Sequence, residues 1–87
     1  MQTIKIKNLI LKVVEVENGF GDNYEMFENL VCKDGQGRFY HIGLSQANFN
    51  FGKYKVGDIF LVKSARCFTA SPSLNFLYYV RINHKKY

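Results

Sequence analysis

Thr3-Ile4-Lys5-Ile6-Lys7-Asn8-Leu9-Ile10-Leu11-Lys12-Val13-Val14-Glu15-Val16-Glu17 carries an apolar period of two. Ile4 and Ile6 alternate with Lys5 and Lys7. Leu9, Leu11 and Val13 continue on the opposite parity, and Val14 and Val16 return to the first. Such alternation puts apolar side chains on one face of a pleated strand. A change of parity inside a β-branched run predicts one long strand with a bulge or bend.

The same period runs through the rest of the chain. Asn18-Gly19-Phe20-Gly21-Asp22-Asn23 is rich in turn formers and predicts a loop. Tyr24 to Lys33 reads as a second strand, with Tyr24, Met26, Leu30 and Cys32 on one parity and Phe27 and Val31 on the other. Asp34-Gly35-Gln36-Gly37 is a hairpin turn, because Asp and Gly tolerate left-handed dihedrals. Arg38 to Leu44 is a third strand. Ser45 to Lys55 fits a loop, a short helical turn or an edge strand, and Lys55 to Asp58 a turn. Ile59 to Phe68 is a fourth strand, Thr69 to Asn75 a loop containing Pro72, and Phe76 to Asn83 a fifth strand. His84 to Tyr87 is a short basic tail. Five strands with a long, bent first one and no helical spacing predict an all-β, five-stranded barrel of OB type with projecting hairpins. A barrel of SH3-like type is the alternative.

A chain of 87 residues is expected to form a single domain, 1–87. Its 47% hydrophobic and 22% charged residues argue against disorder. No apolar run approaches the roughly 20 residues of a membrane span, and the N-terminal alternation lacks the apolar core of a signal peptide. The expectation is a soluble cytoplasmic protein. Cys32 and Cys67, with no CxxC pair, exclude a disulfide-dense scaffold and a Cys-rich zinc site. No metal or cofactor is expected. Catalysis is poorly supported. His41 and His84 are lone histidines, and Glu15 and Glu17 share a strand face without further sign of acid–base pairing. Gly19-Phe20-Gly21 is too short for a phosphate-binding fingerprint.

Charge divides the chain. Residues 1–34 hold four Lys and six Asp or Glu, whereas residues 35–87 hold eight Lys or Arg and one Asp. The basic part interleaves cations with aromatics: Arg38-Phe39-Tyr40, Lys53-Tyr54-Lys55 and Arg66-Cys67-Phe68. Single-stranded nucleic acid requires cations for its phosphates and ring faces for its unstacked bases. The plain alternative places these Phe in a small core and these Lys on a solvated face. A rival function is an OB- or SH3-like adaptor whose aromatic surface binds a protein. The segment Arg66 to Tyr79 adds an expectation of assembly. Phe68, Leu74, Phe76, Leu77 and Tyr78 cannot all point into so thin a core, so a hairpin there would pair with its copy across a two-fold axis.

From Gly21 onward the chain resembles the small single-stranded-DNA-binding proteins of filamentous phages, the gene V protein type. The resemblance rests on Gly21, Tyr24 and Met26 entering the second strand, on Leu30, on the turn from Gly35 to Gly37, and on Phe39 or Tyr40 after it. A Gly-x-aromatic-x-apolar start fits both Gly52-Lys53-Tyr54-Lys55-Val56 and Gly57-Asp58-Ile59-Phe60-Leu61. An aromatic hairpin from Phe68 to Phe76 and Arg81 on the last strand complete it. The resemblance implies an OB-type homodimer, built by the 66–79 hairpin, that coats single-stranded DNA cooperatively. Tyr24 and Tyr40 (or Phe39) would stack on bases and Arg81 would hold phosphate. The first loop departs from the family, where it is basic; here it is flanked by Glu15 and Glu17 and contains Asp22. Phe20 would substitute by stacking, and Arg38, Lys53, Lys55 and Arg66 would move the groove. The expected nucleic-acid-binding set is therefore Phe20, Tyr24, Met26, Arg38, Phe39, Tyr40, Lys53, Tyr54, Lys55, Arg66, Phe68 and Arg81. The expected partner is single-stranded DNA, with RNA not distinguished from it.

Overall fold

Alternation over five segments produces five strands in the computed structural model, which describes residues 3–22, 24–71 and 74–83. They are β1 (Thr3–Phe20), β2 (Met26–Lys33), β3 (Phe39–Ser45), β4 (Ile59–Ser71) and β5 (Leu74–Asn83). They close into a barrel in the order β1-β2-β3-β5-β4. All pairs are antiparallel except β3 with β5. This is the expected all-β, five-stranded barrel of OB type. Residues 1–2, Asn23, Pro72 and Ser73 of the expected loop, and the tail 84–87 lie outside the described residues.

The parity change in β1 is a register break between Val13 and Glu15. Before it β1 pairs with β4, from Thr3 opposite Phe68 to Lys12 opposite Ile59. Pairing with β2 starts just before the break, at Lys12 opposite Lys33, and runs out to Phe20 opposite Met26. One strand thereby serves two neighbours, which is how a bulge helps close a small barrel. The loop expected over 18–23 starts later, because Asn18 to Phe20 still pair in the ladder. The loop expected over Thr69 to Asn75 is shorter as well. Thr69 pairs with Asn75 and Ser71 with Leu74, and Tyr40 of β3 pairs with Asn75, so the base of this hairpin is part of the barrel wall.

The core comes from inward parities. Leu11, Val13, Leu30, Cys32, Ile42, Phe60 and Val62 are almost fully enclosed, and each large apolar side chain contributes about 1.5–3 kcal/mol by leaving water. Residues 46–58 form turns, not a helix or strand. They cover one end of the barrel: Gly52 N–H donates to the buried Glu28 Oε1 at 3.2 Å, and Tyr54 inserts against Phe60 with ring centroids 4.8 Å apart. Burial raises the Tyr54 hydroxyl pKa, as does nearby Asp58. Burial also pushes the Cys32 thiol up to about 12, which leaves it protonated and unreactive at neutral pH. No helix among the described residues is long and apolar enough to cross a membrane.

Candidate nucleic-acid interface

Outward parity on β2, β3, β5 and β4 places aromatic side chains side by side on the barrel surface. Register runs from Glu15 to Val31, His41, Phe76, Phe68 and Thr3 across all five strands. His41 and Phe76 have ring centroids 5.4 Å apart, and Phe76 stacks on Phe68 at 6.5 Å with an 18° interplanar angle. Phe39 sits beside this row on β3, opposite Lys33, whose ammonium lies 5.5 Å from its ring centroid. Phe27 flanks the other end and lies over Gly19. A Cβ at Gly19 would come 2.6 Å from Phe27 Cζ, so only glycine leaves that ring its place. Phe27, Phe39, Phe76 and Tyr78 are all exposed despite their size.

Polar groups hold the row in position. Asn29 Nδ2 donates to Glu17 Oε1 at 2.9 Å and lies 3.0 Å from His41 Nδ1. An amide nitrogen can only donate, so with the amide in this orientation Nδ1 accepts and the ring proton sits on Nε2. At the start of β3, Asn75 Nδ2 donates to Phe39 O at 3.0 Å and Thr69 Oγ1 donates to Asn75 Oδ1 at 2.8 Å. These bonds tie the β4–β5 hairpin to β3 beneath the rings.

Charge changes sign across the face. Glu15 and Glu17 stand on the β1 flank beyond β2. On the opposite flank Arg66 pairs with Tyr78 on one side and with Lys5 on the other, and both cations are exposed. Beyond them Ser64 lies between Lys7 and Arg81.

Of the expected binding residues, Phe39, Phe68 and Arg66 are brought together here, with Arg81 on the basic flank. Tyr40 and Tyr54 are not available for stacking. They are 5% and 7% exposed because inward parity and the barrel-end loop place them in the core. The Tyr40 hydroxyl donates to Asp34 Oδ2 at 3.2 Å, and burial together with Asp34 raises its pKa. The resemblance left Tyr40 or Phe39 open; the surface member is Phe39. Arg38 is drawn into its own turn, where its Nε donates to Asp34 Oδ2 at 3.1 Å and a second nitrogen donates to Gln36. Phe20 and Met26 pair at the tip of the β1–β2 hairpin on the inward parity, the face opposite Phe27. Tyr24 is 88% exposed at the same tip, with φ +59°. Lys53 lies 3.6 Å from the centroid of Phe49 in the barrel-end loop, and Lys55 is exposed at its far turn. Phe27, His41, Phe76 and Asn29 were missed. Their signal was a shared outward parity, which shows only once the strands are paired.

Comparison with known protein families, with curated proteins and with solved structures returned no match to this chain.

Proposed function

We propose that the protein binds single-stranded DNA across the outer face of β2, β3, β5 and β4, without strict dependence on sequence. The observation that carries this reading is the continuous ring row His41–Phe76–Phe68, extended by Phe39 and Phe27 and bordered by Lys33, Arg66 and Lys5. Bases stack on such rings at about 1–3 kcal/mol each, and the bordering cations hold the phosphates. The face also matches the strand 2–3 surface on which OB barrels commonly bind oligonucleotides.

In this reading Tyr24 and Phe20, at the hairpin tip, add contacts at the margin, and Phe68 and Phe76 face the DNA. Two-fold assembly belongs to the same proposal. The contact expected through the whole 66–79 hairpin is narrowed, because Thr69 and Ser71 pair with Asn75 and Leu74 in the barrel wall; Tyr79 (82% exposed) remains as apolar surface off the ring row for a second copy. Sedimentation at micromolar concentration gives a dimer on this proposal; a monomer removes that part of it.

Fluorescence anisotropy with labelled oligo-dT at two salt concentrations tests the main reading. Log affinity should fall with log salt by about 0.7 for each phosphate held. Absence of oligo-dT binding, or binding indifferent to salt, would favour an adaptor that receives a protein on the same rings.

A further inference from the structure

Glycine in a strand interior loses packing and often marks a place where another group comes close. Gly19 is such a case, filled by the Phe27 ring. Gly43 is not. It lies mid-strand in β3, and a Cβ built on it meets nothing within 4 Å. Above it is a slot of about 460 Å³ bounded by Phe27, Phe76, Asn18, Asn29 and Glu17. Phe27 and Phe76 are its apolar walls. Its polar edge offers acceptors at Glu17 and Asn29. Glu17 Oε1 takes the Asn29 hydrogen bond, and among the described residues nothing donates to Oε2. With both Asn29 contacts made by Nδ2, Oδ1 also remains open.

A carboxylate on a face for polyanions opposes binding unless it accepts a hydrogen bond from the ligand. We propose that this slot receives one nucleobase and reads its donor edge, with guanine preferred. Guanine presents two adjacent donors on its Watson–Crick edge, N1–H and the N2 amino group, which suit a carboxylate. Thymine presents one N–H between two carbonyl oxygens, which a carboxylate repels. The charge gradient sets the orientation: phosphates lie toward Arg66 and Lys5, and base edges point toward Glu17. The preference is thus superimposed on general stacking, and it rests on the proposed single-strand binding.

The experiment compares oligo-dT with the same oligonucleotide carrying one central dG, or one central deoxyinosine, by anisotropy at fixed salt. The wild type should bind the dG oligonucleotide about tenfold more tightly than all-dT, within the range of a two-donor base contact. Deoxyinosine, which lacks the N2 amino group, should fall between. In Glu17→Gln the ratio of the dG to the all-dT affinity should return to one. Gly43→Val, at a position where a Cβ meets nothing within 4 Å, has a β-branched preference for strand; its side chain should project into the slot and abolish the ratio too. A ratio of one in the wild type, with all-dT still bound, overturns this inference and leaves the proposed function standing. A ratio that survives Glu17→Gln overturns the assignment of the edge. Absence of binding to every oligonucleotide overturns the proposed function and this inference with it.

Discussion

Two groups of aromatics sit on this barrel, and they differ in how they are held. His41, Phe76 and Phe68 lie in register on paired strands with ring contacts between them, and Phe39 sits beside them on β3, its backbone carbonyl bonded to Asn75. Phe20 and Tyr24 lie at the tip of one hairpin and are 70% and 88% exposed. Binding through the first group orders little that is not already ordered. Binding through the second must immobilise exposed side chains, at about 0.5–1.5 kcal/mol each. A surface offers stacking faces cheaply only where the sheet has fixed them.

The largest effect should separate two sequence neighbours. Tyr40→Ala empties a buried ring site and should lower unfolding free energy by about 3–5 kcal/mol in urea titrations. Tyr40→Phe keeps the ring and should cost about 1–2 kcal/mol, through loss of the hydrogen bond to Asp34. Phe39→Ala should leave the fold intact and weaken oligo-dT binding. If Tyr40→Ala folds normally, the division between wall and core at this strand is wrong.

Next comes the contrast between row and tip. Phe76→Ala removes the ring between His41 and Phe68 and should weaken oligo-dT binding by about 1–3 kcal/mol. Tyr24→Ala should cost less than about 1 kcal/mol, because ordering that side chain offsets part of its stacking. Equal losses would erase the distinction drawn above.

Among cations, Arg66→Ala should reduce the slope of log affinity against log salt by about 0.7, the contribution of one phosphate contact. Arg38→Ala should change it less, because Asp34 already faces that guanidinium. Equal slope changes would mean that the Asp34 pair opens on binding.

The smallest effect is on acid stability. Burial alone would raise the Asp34 pKa. Hydrogen bonds from the backbone N–H groups of Arg38 and Gln36, then from the Arg38 and Tyr40 side chains, outweigh it and hold the carboxyl below its ordinary value of 3.8. The folded state therefore binds this proton less readily than the unfolded one. The stabilisation is complete well above 3.8 and is lost as pH falls through the depressed value. Asp34→Asn should be less stable than wild type at neutral pH, and the difference should shrink below about pH 3.8. A constant difference across that range would show that the charge of Asp34 contributes nothing.

The barrel was legible because its signals are local: alternation, a parity change at Val13 and Val14, and an Asp-Gly turn. The site was legible only in part. Each aromatic faces in or out according to strand parity; the break between Val13 and Glu15 resets it for the end of β1, and on unbroken β2 only the pairing shows which parity faces in. Phe27 shares the outer face with Asn29 and Val31, while Phe20 and Met26 turn to the other. Tyr40 and Phe39 are adjacent in sequence, and only the pairing of β3 with β2 and β5 assigns them to core and surface. Arg38 looked free for phosphate because its bond to Asp34 depends on the turn closing. Phe76 looked like part of an arm because the extent of the β4–β5 ladder is a tertiary property.

The claim that the sheet face and not the hairpin tip receives the strand is tested most directly by amide chemical-shift mapping during titration with oligo-dT. The account predicts the largest changes at Phe27, Asn29, Val31, Phe39, His41, Phe68 and Phe76, with smaller ones at Tyr24. Changes centred on Phe20, Tyr24 and the 46–58 segment, with the β2–β3–β5 face unmoved, would contradict it.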